Sequence, residues 1–257
     1  MKTLFSITVD VEPDYWNGES TIGVVQGIPD ILSLLESLGS KATFFWTAVV
    51  ARKHPDILEW VISEGHEIAC HGLNHENLAA LEKRRQSEII EEAASVFRSL
   101  GISCDGFRAP RLRVNESLFE VLREQGFTYD SSIPFWGVRR FKYGSRYDQT
   151  GIPELKCIPS YAFRITPMLF DWIIERSRRS LGYAVFFLHP WELVDSALHR
   201  RSLPWRRRFN FLNTAGIGTS FLENLRRFFH ISKGALEFKT CRELSTMLGE
   251  GKILSTP

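Results

Sequence analysis

The sequence predicts a parallel α/β fold of the barrel-like kind, and two observations predict it. Short β-branched and aromatic runs alternate with helical patterns along the 257 residues, as in consecutive strand–helix units. At the carboxyl ends of five of those runs stand residues able to do chemistry: Asp10 with Glu12, His71 with His75, Arg108, Asp130 and His189. In barrel-like α/β folds that face carries the active site.

The elements follow in order. Leu4 to Val9 reads as a central strand ended by Asp10-Val11-Glu12, and strand alternation puts the two acids on one side. Burying them in a strand interior is costly, so they face a cavity or bind something. Gly27 to Leu38 is a helix with Ile28, Ile31, Leu34, Leu35 and Leu38 on one face and Gly39 as its stop. Ala42 to Trp46 is a buried strand, and a helix runs from His54-Pro55 to Ser63. Glu67 to Cys70 is a short buried strand, with His66 before it expected to face solvent. Glu82 to Leu100 is a long amphipathic helix, residues 106–111 a short strand and loop, and Asn115 to Gln125 a helix. Further strands are expected at 127–130, 155–158 and 183–188, and further helices at 167–180, 220–229 and 242–248. Residues 134–152 read as irregular. The chain divides into a barrel over 1–193 and a basic C-terminal extension over 194–257, packed on the same domain.

Composition narrows the function. A formal net charge of +2 excludes a chain that binds nucleic acid by bulk electrostatics. No apolar run approaches the ~20 residues of a membrane-spanning helix, and the first ten residues do not read as a signal peptide. The 4 cysteines show no CxxC spacing, which fits reduced thiols in a cytoplasmic protein. Residues 198–242 carry ten Lys/Arg against two acids, with Arg200, Arg201 and Arg206 to Arg208 beside Trp205 and Phe209. Such a run is a solvated face, or a patch for an anionic glycan or an anionic membrane surface.

His71 and His75 stand four apart across Gly72. Two neutral imidazoles on a bend are two ligands of a divalent metal; a third ligand and an open position make such a site catalytic. Each of the other residues also has a plain structural reading. Arg108 can bridge two loops, Asp130 can cap a helix before Ser131-Ser132, His189 can be a hydrogen-bonded core residue, and Trp191 can be core.

In these residues, over roughly 3–192, the chain resembles the polysaccharide deacetylase family, whose NodB-type fold is a distorted (β/α) barrel of parallel strands with surrounding helices. Thr8-Val9-Asp10-Val11-Glu12 stands for the first motif, in the branch with acids two apart. His71 to His75 matches the second motif, Arg108-Ala109-Pro110 the third, Asp130 with Trp136 loosely the fourth, and Leu188-His189 the fifth. Arg111 stands where an aromatic is commoner. The segment His189-Pro190-Trp191-Glu192 with the basic tail is similar to deacetylases linked to exopolysaccharide synthesis.

The resemblance implies a metal-dependent carbohydrate N-deacetylase. It implies a divalent metal, zinc first with cobalt, nickel or manganese as alternatives, on Glu12, His71 and His75. It makes Asp10 the general base, held ionised by Arg108, and His189 the acid, oriented by Asp130. Trp16, Pro110, Arg111 and Trp191 would contact the substrate, the two tryptophans as walls for a sugar ring. The expected partner is an N-acetylated glycan or a lipid-linked sugar, met in the cytoplasm or at a membrane periphery. Two readings compete: a deformylase or amidase acting on a lipid-linked amino sugar or a small cyclic amide, and a non-catalytic glycan-binding protein. Asp10 and His189 argue against the second, since a binder needs neither base nor acid.

Overall fold

The computed structural model describes residues 2–15, 18–135, 152–195 and 215–253. Trp16, Trp136 and the basic run from Arg200 to Arg208 lie outside the described residues. Strands and helices alternate: β1 (Thr3–Val11), α1 (Ile22–Leu38), β2 (Thr43–Trp46), α2 (Ala48–Lys53), α3 (Pro55–Ser63), β3 (Glu67–Cys70), α4 (Lys83–Ser99), β4 (Gly106–Phe107), α5 (Glu116–Glu124), β5 (Tyr129–Asp130), β6 (Cys157–Pro159), α6 (Ser160–Ile165), α7 (Phe170–Leu181), β7 (Tyr183–Leu188), α8 (Thr219–Ser232), β8 (Leu236–Phe238) and α9 (Cys241–Gly249). The described strands form one parallel sheet in the order β5-β4-β3-β2-β1-β7-β6. Its two edges meet: Asp130 bridges Glu154, and Pro134 bridges Cys157. The result is the parallel, helix-wrapped, distorted barrel that the sequence predicts. Among the described residues no helix is long and apolar enough to cross a membrane.

Strand alternation sorts β1 into two faces. Phe5, Ile7, Val9 and Val11 join the main core against the helices. Ser6, Thr8, Asp10 and, just past the strand, Glu12 face the barrel interior, where their partners lie. That interior is stacked in layers. At the amino end, the Glu67 carboxylate accepts from Tyr129 Oη (2.7 Å), Thr43 Oγ1 (2.7 Å) and the Arg242 amide (3.0 Å). The start of α9 therefore plugs this end, and Cys241 and Leu244 pack there with Phe45, Tyr183 and Phe187. β8 pairs with Thr3 to Phe5 of β1. So residues 236–249 supply a strand and an interior plug to the barrel.

The structure departs from the expected elements where tertiary contacts override local preference. α1 begins at Ile22, five residues before Gly27. Gly23 and Gly27 weaken a helix locally, but they allow it to lie directly on the segment after β7. A Cβ on Gly27 would fall 2.1 Å from the Pro190 carbonyl oxygen, and one on Gly23 2.6 Å from Trp191 Cα. Asp14 caps this first turn across the loop, accepting from the amides of Ile22 and Gly23, each at 2.9 Å. α2, α6 and β8 are too short to show a period in the sequence. His66 does not face solvent. It is buried, and its Nδ1 accepts from the Ala42 amide at 3.2 Å. All four cysteines are free thiols, and three are buried.

Two tests follow from this packing. Gly27→Ala should destabilise the fold by about 1–3 kcal/mol through overpacking against Pro190; a denaturant melt with an unchanged midpoint would show that α1 does not set this contact. Burial, with Lys41 nearby, lowers the His66 pKa from its ordinary 6.5 to about 4. Its folded value lies below its unfolded one, so the stability it contributes is present above pH 6.5 and lost as pH falls toward 4. Unfolding free energies of His66→Gln should therefore change less between pH 7 and 4.5 than those of the parent; parallel slopes would remove His66 from the acid response.

Candidate active site

The carboxyl ends of β1, β3, β4 and β7 bring Asp10, Glu12, His71, His75, Arg108 and His189 together. Burial forces each polar group to find a partner. Arg108 is fully buried on the residue after β4. Its Nε donates to the Ser131 carbonyl (2.9 Å), Nη2 to Ser131 Oγ (2.8 Å), and Nη1 to Thr8 Oγ1 (2.8 Å) and Asp10 Oδ1 (2.7 Å). Its guanidinium carbon lies 4.2 Å from the Phe45 ring centroid and 5.1 Å from that of Phe187. It is therefore a spoke inside the barrel and not a surface bridge between loops. Burial alone lowers its pKa, but Asp10 more than reverses this, so it stays cationic.

One ligand atom each from Glu12, His71 and His75 lies within 4.8 Å of the other two. His71 Nδ1 sits 2.7 Å from the Arg108 carbonyl oxygen. A carbonyl only accepts, so Nδ1 carries the proton and Nε2 turns to the site with its lone pair. There it meets Glu12 Oε2 at 3.3 Å. His75 Nε2 stands 2.5 Å from the same oxygen. A carboxylate oxygen facing an imidazole lone pair is an arrangement of acceptors that calls for a cation. One carboxylate with two imidazoles is a donor set that fits a catalytic divalent ion. Burial alone raises the Glu12 pKa. The charges of His75 and His189 more than reverse it, and the carboxyl lies well below its usual range.

The bend between the histidines is built on Gly72, at φ +81°. Its α-face packs near Pro110: an added Cβ would be 3.3 Å from Pro110 Cγ. Pro110 is buried in the turn after β4, and Arg111 is exposed beside it. His75, Arg111 and Leu112 all take left-handed φ values of +52° to +59°. Three non-glycine residues in this region, gathered at one rim, mark it as a place where the fold holds strained backbone.

On the opposite side, His189 points Nε2 toward Glu12 Oε1 at 3.8 Å. Its ring stacks on Trp191 (4.9 Å, 24°) and meets the Phe187 ring edge-on (5.7 Å, 83°). Burial alone lowers its pKa, but Glu12 and then Glu192 and Asp10 raise it to about 9. Two expectations need correction here. Trp191 is no open wall for a sugar ring: it is buried, with His189 on one face and Tyr15 on the other (5.5 Å, 26°). Asp130 does not orient His189. Its carboxylate accepts from the Ser132 amide and Ser132 Oγ, each at 2.7 Å, and pairs with Glu154, whose own pKa burial and Asp130 push well up. Asp130 thus closes the barrel seam, and the acid beside His189 is Glu192. In the sequence, the signal that points to Glu192 is its spacing of three from His189.

Residues 2–129 match the family described as Polysaccharide deacetylase; that span holds Asp10, Glu12, His71, His75 and Arg108 but not His189. A peptidoglycan deacetylase-like protein of Gibberella zeae is 31% identical over 110 residues, covering 42% of this chain and 32% of that protein. A peptidoglycan deacetylase of Helicobacter pylori is 27% identical over 108 residues, covering 42% and 37%. The matched stretch thus spans about a third of the length of these curated relatives. In fold, a Mycobacterium smegmatis protein assigned to the polysaccharide deacetylases superposes with a TM-score of 0.66 at 19% identity, over 100% of this chain and 93% of that one. A pseudoenzyme of carbohydrate esterase family 4 from Bacillus anthracis superposes at 0.57 with 13% identity, over 95% and 65%. With the family match, the parallel barrel and the motif residues at its rim in agreement, this chain belongs to the polysaccharide deacetylase family.

Proposed function

We propose that the chain is a metal-dependent N-deacetylase that hydrolyses the acetamide of N-acetylated amino sugars in a glycan or its precursor. The observation that carries this reading is the acceptor cluster of Glu12, His71 and His75, flanked by a carboxylate held on arginine and by the His189 imidazole, which lies between Glu12 and Glu192. Relatives named peptidoglycan deacetylase and chitooligosaccharide deacetylase support a glycan substrate. A divalent ion held on the cluster, zinc before cobalt, nickel or manganese, supplies Lewis-acid polarisation of the amide carbonyl and makes water acidic enough to attack at neutral pH.

The chain's own residues then divide the proton work. Asp10, fixed by Arg108 at 2.7 Å, accepts the proton of the attacking water. Arg108 keeps that carboxylate in place but has no proton to lend, because a guanidinium does not deprotonate in this range and its Nε, Nη1 and Nη2 donate to Ser131, Thr8 and Asp10. As the C–N bond breaks, its electron pair goes to nitrogen, and His189 supplies the proton that makes it a free amine. Base and acid differ because their surroundings differ: one faces a guanidinium, the other faces carboxylates. Pro110 and Arg111, at the strained rim, would be the residues that meet the sugar.

Two experiments test this. His71→Ala and His75→Ala should each lose bound metal by elemental analysis, and full metal content in either would remove the proposed ligand set. Asp10→Asn should keep its metal while turnover falls by about 10²–10⁴-fold. The assay is acetate or formate release from N-acylated sugars, lipid-linked amino sugars and polymers, with and without chelator. Activity that survives both the chelator and Asp10→Asn would overturn the mechanism, and formate released in preference to acetate would move the reading to a deformylase.

A further inference from the structure

We propose that Glu192 is the positioning residue of His189, holding its ring in one orientation with Nδ1 protonated, and that Arg164 and Ser160 hold Glu192 in turn. This rests on the reading of His189 as the proton donor. Glu192 Oε2 accepts from the His189 amide at 2.8 Å and lies 3.4 Å from His189 Nδ1. Glu192 Oε1 accepts from Ser160 Oγ at 2.6 Å and stands 3.0 Å from Arg164 Nη2. Both side chains of the ion pair are almost wholly buried, at 1% and 2% exposure. Arg164 also donates to the Ala215 carbonyl, and the Gly218 amide donates to the Glu192 carbonyl at 2.7 Å. The turn Pro190–Leu193 places residue 192 back over residue 189.

The chemistry follows from what a carboxylate can do. It only accepts, and Glu192 Oε2 at 3.4 Å, just beyond a closed hydrogen bond, is the acceptor toward which a hydrogen on Nδ1 would point. Nε2 is left as the nitrogen that exchanges a proton, and it points to Glu12 and the open side of the site. Trp191 stacked on one face and Phe187 at the edge stop the ring from turning away. A buried ion pair is a poor source of net stability, because desolvation offsets most of its attraction. Its place, three residues from His189 and bonded to that residue's backbone, is accounted for by positioning. Asp130, the acid expected for this task, is engaged by Ser132 and Glu154 instead.

The test uses the full chain with ¹⁵N-labelled histidine, zinc-free and zinc-loaded, and His189→Gln to assign the His189 ring. The parent should show a low-field, slowly exchanging Nδ1–H resonance. In Glu192→Gln that resonance should be lost or move upfield. Turnover number should fall about 10–100-fold, the scale seen when a group orienting a functional histidine is removed, with KM and metal content unchanged. Glu192→Asp keeps the charge opposite Arg164 and should recover part of the turnover number; if Glu192→Gln does not fold, the resonance and turnover number of Glu192→Asp decide, both shifted in support. An Nδ1–H resonance and a turnover number that match the parent in these variants would overturn the proposal. So would a rise in KM together with a fall in metal content and melting temperature. If the parent releases no acyl group from any substrate, the deacetylase reading fails, and the resonance alone still decides what Glu192 does.

Discussion

A single buried cation organises this molecule. The Arg108 guanidinium lies inside the barrel, out of contact with water, and such a group persists there only when its donors are matched. They are, by the Ser131 carbonyl and hydroxyl, the Thr8 hydroxyl and the Asp10 carboxylate. The aromatic faces of Phe45 and Phe187 add favourable contact to its plane. This one side chain thereby ties β1, the end of β4 and the segment after β5 at fixed separations. Its own carbonyl does a second task, setting the tautomer of His71. Losing either partner of the Asp10–Arg108 pair would leave an uncompensated buried charge, a loss of about 3–5 kcal/mol.

Around that spoke the interior reads as three polar layers. Glu67 joins strands β2, β3 and β5 to the start of α9 at the amino end. Arg108 occupies the middle. Glu12 and the three imidazoles form the carboxyl-end layer, where the Glu12 carboxylate faces the lone pair of His71. The lower two layers are satisfied internally, so they serve structure. The top layer is left wanting a cation, so it is the one able to bind and react. Fold alone would not support that conclusion, since a Bacillus anthracis protein of similar fold is named a pseudoenzyme. The particular residues at the rim carry it.

The two sides of the site are held by different means. The His71–His75 bend and the Pro110–Leu112 turn use left-handed backbone at His75, Arg111 and Leu112, each of order 1–2 kcal/mol of strain. The His189 side is held by rings and an ion pair: Tyr15, Trp191 and His189 stack in series, and Glu192 and Arg164 lie beneath. α1 presses on this second side through Gly23 and Gly27, so a helix remote from the chemistry sets where Trp191 stands.

The primary structure by itself determined the strand–helix order, the alternation that puts Asp10 and Glu12 on one face, and the set of strand ends that carry His71, His75, Arg108 and His189. Those are short-range properties, since strand period and turn residues act over a few positions. Spacing also marked His71 and His75 as a pair, while the resemblance to a known family added Glu12 to them. Tertiary structure alone decided which acid stands beside which base. Asp130 and Glu192 are both carboxylates near strand ends, and the spacing of three from His189 is the one local sign that favours Glu192; Ser132 and Glu154 engage the first, while the Pro190–Leu193 turn and Arg164 bring the second to His189. It likewise decided that Trp191 is enclosed by protein rings, that His66 is buried, and that α1 starts five residues before its apolar stripe suggests. In these cases a segment far along the chain takes part: Glu154 against Asp130, Arg164 against Glu192, Tyr15 against Trp191, Ala42 against His66 and Pro190 against α1.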